Sequence, residues 1–110
     1  MEIKVENHEK FWKVCIDGRL VAACAEDLKD ALTGKLEAKP QVLFDLSKMT
    51  HVDSSGLGAL VQVLQKAKAG GGIARLACLQ PHPRIVIDIT KVFRVFEIFD
   101  TVEQAEKAFV

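Results

Sequence analysis

The sequence predicts an α/β domain, with a mixed and mostly parallel sheet of four to five strands and four helices in the order β-β-α-β-α-β-α-β-α. Three observations carry this. Short apolar stretches of period two or continuous β-branched character alternate with stretches of helical period. Gly or Pro stands at most of the changes between them. The first two strands are joined by only a few polar residues, which makes an antiparallel hairpin, whereas later strands are separated by helices and so run parallel.

Ile3 and Val5 alternate with Glu2, Lys4 and Glu6 as a half-exposed first strand, and Asn7 to Lys10 form a polar turn. Trp12, Val14 and Ile16 alternate with Phe11, Lys13, Cys15 and Asp17 as the second strand. Gly18 breaks it, and Leu20 and Val21 resume it briefly. A helix is expected from about Cys24 to Ala38, with Leu28, Ala31 or Leu32, and Leu36 on one stripe and Pro40 ending it. Val42 to Leu46 is a compact apolar run, the mark of a buried central strand. After the connection 47–54, a helix over about 55–68 carries Leu57, Leu60, Val61 and Leu64 at i, i+3, i+4 and i+7. Gly70-Gly71-Gly72 closes it as a flexible C-cap. Ile73 to Leu79 is a strand. The segment 81–92 is divided between its β-branched residues, which favour strand, and Pro83 with the Arg84/Asp88 spacing, which favour helix; helix is the expectation. Val95 to Phe99 is a last strand, and Thr101-x-x-Gln104 is a capping box opening a helix to Phe109.

Composition narrows the function. With 110 residues the chain is expected to be one domain, 1–110. Fifteen basic residues balance fifteen acidic ones, which argues against a nucleic-acid binder and against a polybasic membrane anchor. The longest uncharged run, Ser54 to Gln65, is too short to span a bilayer, and the start of the chain lacks the apolar core of a signal peptide. Cys15, Cys24 and Cys78 form no CxxC and sit among apolar neighbours, so they read as buried free thiols of a cytoplasmic protein. His8, His51 and His82 all fall in expected turns, with no metal-ligand spacing. No nucleophile elbow or phosphate loop occurs, so no catalytic residue, metal or cofactor is expected.

The informative segment is Asp53-Ser54-Ser55-Gly56-Leu57-Gly58. Its plainest reading is structural, since a serine ahead of a helix caps the free N–H groups and an acid there suits the dipole. Two glycines in an opening turn, however, cost roughly 1 kcal/mol each against alanine. They leave bare backbone that another protein can approach. Ser54 also stands at a helix N-terminus after a buried strand, where an added anion is tolerated. A phosphate there would add about −1.5 to −2 charges and disturb a docked partner without unfolding the host. Ala59, Gln62, Val63 and Lys66 are expected on the outer face of the same helix.

The chain resembles a STAS domain, specifically a stand-alone bacterial anti-sigma factor antagonist, over nearly its whole length. The resemblance rests first on Val42-Leu43-Phe44-Asp45-Leu46-Ser47-x-Met49-x-x-Val52-Asp53-Ser54-Ser55-Gly56-Leu57-Gly58. It rests next on Ile87-Asp88-Ile89-Thr90-x-Val92-x-x-Val95-Phe96-x-Ile98-Phe99 and on Thr101-Val102-Glu103-Gln104-Ala105. It implies that Ser54 is the phosphoacceptor and that the unmodified domain binds an anti-sigma factor that is also a serine kinase, freeing a sigma factor. A serine phosphatase would reset the switch, with ATP and Mg²⁺ held by the kinase. The partner-binding residues implied are Asp53, Ser55, Gly56, Leu57, Gly58, Ala59 and Gln62, on a monomer. Two positions depart from the family. Val21 replaces a carboxylate often found after Gly-x-Leu, here Gly18-Arg19-Leu20, and Lys91 replaces a small residue. The first bears on partner recognition and on phosphorylation itself. It supports the alternative of a constitutive scaffold or transport-accessory STAS domain. A small hydrolase is a third reading, supported only by the generic α/β pattern.

Overall fold

A computed structural model describes residues 1–109 of the protein. Its strands are β1 (Glu2–Asn7), β2 (Trp12–Leu20), β3 (Gln41–Val52), β4 (Ile73–Ala77) and β5 (Glu97–Phe99). Its helices are α1 (Ala25–Ala31), α2 (Lys35–Ala38), α3 (Ser54–Ala69), α4 (Pro81–Thr90) and α5 (Val102–Lys107), with 3₁₀ turns at Ala22–Cys24 and Val92–Arg94. The sheet order is β1-β2-β3-β4-β5, β1 antiparallel to β2 and every later pair parallel. This is the mixed α/β architecture expected, with five strands.

Two apolar layers sandwich the sheet. Val14, Ile16, Val42, Phe44, Leu46, Ala74 and Leu76 point to one face, where Leu28 of α1, Leu60 of α3 and Ile87 of α4 cover them. Leu43 and Ala77 point to the other, under Ala105 of α5 with Phe11 and Phe109. Cover on both sides explains why β3 reads as an unbroken apolar run where it crosses the core. It also moves Phe11, expected on the polar side of β2, into the second layer, where its ring stacks on Phe109 at 4.7 Å between centroids.

Several boundaries differ from expectation. Gly18 does not end β2. Its φ of +99° accommodates a shift in register, and the strand continues, pairing Gly18 with Met49, Arg19 with His51 and Leu20 with Val52. That pairing draws residues 47–52, expected as a connection, into β3. The expected helix over 24–38 is broken into α1 and α2 by Gly34, whose φ is +80°. Leu28 and Leu32 still bury on the foreseen stripe, with Leu36 packed beside them. The triple glycine is less a flexible cap than a tight passage. Gly71 takes φ +89°, and a Cβ on Gly72 would stand 1.7 Å from the Pro40 carbonyl oxygen. The segment 81–90 is helical, as expected, with Pro81 at the first position rather than Pro83, which is buried. Arg84 lies 3.9 Å from Asp100, not against Asp88. The cysteines are free but half-buried instead of buried. Of the histidines only His8 lies in a turn; His51 is in β3 and His82 in α4. No helix among the described residues is long and apolar enough to cross a membrane.

The Gly72 contact yields a direct expectation. Gly72→Ala forces the β3 and β4 starts apart and lowers stability by about 1–3 kcal/mol, the usual cost of overpacking. Chemical denaturation of the two proteins measures it.

Candidate functional site

The parallel strands β2 and β3 end side by side, and the chain turns from β3 into α3 at that edge. Asp53 makes the turn. Its backbone N–H donates to the Leu20 carbonyl at 3.3 Å. Its carboxylate accepts from the Gly56 N–H at 2.8 Å through Oδ1 and from the Ala22 N–H at 3.0 Å through Oδ2. One side chain therefore caps α3 and ties down the turn that follows β2. The Gly56 hydrogen bond, joined by that from Ala22 against the opposing effect of desolvation, holds the Asp53 carboxyl below the usual carboxylate range.

Asp53, not Ser54, is thus the N-cap. Ser54 is the first helical residue, and both Ser54 and Ser55 are exposed. The two glycines that follow have different duties. A Cβ on Gly56 would lie 2.1 Å from the Leu20 carbonyl oxygen, so this glycine serves the close approach of α3 to β2 and is buried. A Cβ on Gly58 would meet nothing within 4 Å. Only Gly58 leaves open backbone for a visitor.

The outer face of α3 is narrower than expected. Ala59 and Val63, expected on it, are buried at 2% exposure, because α1 packs along α3 and widens the apolar stripe it must cover, while Leu57 is buried on the expected stripe. Gly56, Leu57 and Ala59, expected among the partner-binding residues, lie beneath that surface and support it from below. What faces water in the first half of α3 is Ser54, Ser55, part of Gly58 and Gln62, with Asp53 half-buried at the rim, and Lys66 is exposed further along, as expected.

Two neighbours flank the corner, of which the resemblance pointed to Val21 and nothing in the sequence pointed to the His51–His82 pair. Val21 is half-buried beside Ala22, and so flanks the Asp53 cap. His82, at the start of α4, lies against His51 of β3 with ring centroids 4.5 Å apart, and His51 stands two residues ahead of Asp53. The histidine pair joins residues far apart in sequence and so leaves no local signal. Cys24 lies in the turn that Asp53 ties down, its Sγ accepting from the Val21 N–H at 3.4 Å; Cys15 and Cys78 lie elsewhere, and burial pushes their thiols up, away from thiolate reactivity.

The family model for the STAS domain matches residues 2–105. The chain belongs to the STAS domain family. BtrV of Bordetella bronchiseptica, a candidate anti-sigma factor antagonist, is 26% identical over 110 residues, covering 99% of this chain and 95% of BtrV. The crystal structure of a candidate anti-sigma factor antagonist from Thermotoga maritima superposes with a TM-score of 0.89 at 20% identity, covering 97% of this chain and 93% of that one. The anti-sigma factor antagonist SpoIIAA superposes at 0.74 and 17% identity in its unphosphorylated form, over 97% of this chain and 96% of SpoIIAA. In its phosphorylated form, from Bacillus, it superposes equally well, covering 97% and 98%. These likenesses show the fold. STAS anti-sigma factor antagonists are regulatory binding proteins, not enzymes.

The corner makes two tests available. Gly56→Ala loses about 1–3 kcal/mol by overpacking, while Gly58→Ala gains up to about 1 kcal/mol of helix propensity. Opposite shifts in melting temperature, by about 4–8 °C per kcal/mol, would separate them. Asp53→Ala melts lower than wild type at neutral pH. Because the folded-state carboxyl is depressed, its contribution is present above the ordinary carboxylate pKa and is lost as pH falls through the lower folded value. The two melting curves are therefore expected to converge in acid.

Proposed function

We propose that the protein is an anti-sigma factor antagonist whose binding is switched by phosphorylation of Ser54. One observation carries this reading: Ser54 is exposed at the first position of a long helix, and its capping duty has been taken by Asp53. Its hydroxyl is free for chemistry without cost to the fold. The partner is an anti-sigma factor that is also a serine kinase. Unmodified, the domain binds that partner and frees a sigma factor.

In the modifying step Ser54 Oγ attacks the γ-phosphorus of ATP held with Mg²⁺ by the kinase. The Oγ–P bond forms, the bond from the γ-phosphorus to the bridging oxygen breaks, ADP leaves and the serine proton passes to a base or to solvent. The phosphate brings about −1.5 to −2 charges. At the N-terminus of the sixteen-residue α3 the free N–H groups and the helix dipole accept that charge, so the domain stays folded. A partner surface of acidic or apolar character cannot accept it and is released. A serine phosphatase hydrolyses the ester and restores binding. That SpoIIAA exists in both forms on this fold supports the reading. The domain works as a monomer in the cytoplasm and needs no cofactor of its own.

Val21 favours a second reading. With an apolar side chain where family members often carry a carboxylate beside this cap, the domain would serve as a constitutive scaffold or transport-accessory module.

Ser54→Asp and wild type used as baits in lysate of the source organism separate the two. The expected outcome is recovery of a small ATP-binding serine kinase by wild type and its loss with Ser54→Asp, at unchanged melting temperature. Recovery of the same scaffold or transporter components by both baits would establish the constitutive reading instead.

A further inference from the structure

We propose that the partner's footprint extends from Ser54 along the exposed stripe of α4, and that the stripe His82, Ile85 and Ile89 binds an apolar partner surface rimmed with carboxylates. This rests on the Ser54 reading above and deepens it.

The stripe is an anomaly of the fold. Ile85 is 57% exposed and Ile89 74%, and Val95 beyond the helix is 47% exposed. His82, Ile85 and Ile89 stand at i, i+3 and i+7 and so share one side of α4, while Pro83 and Ile87 supply its buried side. Exposed isoleucines do nothing for α4 itself. β-Branched residues are poorer helix formers than alanine, glutamate or lysine, and in water these two return no burial. Their side chains become favourable only when something covers them.

Two features name the occupant. The first is continuity. The stripe begins at His82, which lies against His51, and His51 is three residues from Ser54. Helix α4 packs against β3, and the His51–His82 contact links its start to the strand that leads into Ser54. The second is charge. Arg84, Lys91 and Arg94 are exposed around the stripe, with Asp88 and the Asp100 partner of Arg84 the acids beside them. Lys91 and Arg94 continue the stripe towards Val95 as a basic end. An acidic-rimmed apolar surface complements this end, and the same surface is expelled by a phosphate on Ser54. Both ends of the footprint thus ask for one chemistry. A second copy of this chain fits poorly, because a two-fold contact presents the same cation-rich rim on both sides.

The test uses the full chain and the purified ATP-binding serine kinase recovered from lysate by the wild-type bait. Calorimetric titration is run on wild type, Ser54→Asp, Ile85→Lys, Ile89→Lys and, as a control on the far face of the sheet, Glu103→Lys. The expected result is an affinity loss of about tenfold or more for each isoleucine variant, the scale of an interface anchor. Glu103→Lys should bind as wild type, and all five proteins should melt alike. Wild-type affinity in both isoleucine variants, with Ser54→Asp still inactive, overturns the extended footprint and leaves the Ser54 switch standing. Undiminished binding by Ser54→Asp overturns the switch, and the footprint with it. A dimer of the free protein that Ile85→Lys dissociates would assign the stripe to a second copy, and equally overturns the proposal.

Discussion

The functional corner depends on a single carboxylate. Asp53 holds the Ala22 amide with one oxygen and the Gly56 amide with the other, while its own N–H reaches the Leu20 carbonyl. Three elements are joined there: the end of β2, the end of β3 and the first turn of α3. The close approach of α3 to β2 requires a residue without a side chain, and Gly56 provides it. Remove the carboxylate and the first turn of α3 loses its cap. Add a methyl to Gly56 and the helix is pushed off the strand. The position of Ser54 in space follows from these two constraints and not from any contact of its own.

This arrangement divides labour within a four-residue motif. Asp53 caps, Gly56 packs, and Ser54 and Ser55 between them are left exposed. A serine that capped the helix would lose its hydrogen bond on modification and would damage the helix it begins. With the cap one residue earlier, the hydroxyl can change its chemistry while the helix keeps its support. On the proposed reading, modification alters what binds without altering what is folded.

Much of this was legible in the sequence because it is local. The alternation of Trp12, Val14 and Ile16, the apolar run of β3 and the capping box at Thr101 each encode their element within a few residues, and Thr101 does accept from the Gln104 N–H. What was not legible is set by partners distant in sequence. β3 runs on to Val52 because β2 continues beside it past Gly18. Ala59 and Val63 are buried because α1 covers them, although heptad spacing from Leu57 and Leu60 put them on the outside. Gly56 and Gly58 look alike in the chain and differ only in what stands opposite, the Leu20 carbonyl in one case and open space in the other. In α4 local propensity favoured strand, and helix prevailed with Pro81 at its start and Ile87 buried in the core.

The charge balance of the corner sharpens what a phosphate could do there. Asp53 is already hydrogen-bonded by two backbone amides, and Val21 beside the cap contributes no charge. A phosphate on Ser54 would be the dominant new charge of that edge instead of one among several carboxylates. Its reach is short, since the screening length at physiological salt is about 8 Å. A switch of this kind cannot act on a partner docked elsewhere on the domain. It works only if the acceptor lies inside the contact, and the exposed Ser54 and Ser55 at the start of α3, with Gly58 and Gln62 further along it, are where such a contact is open to a partner.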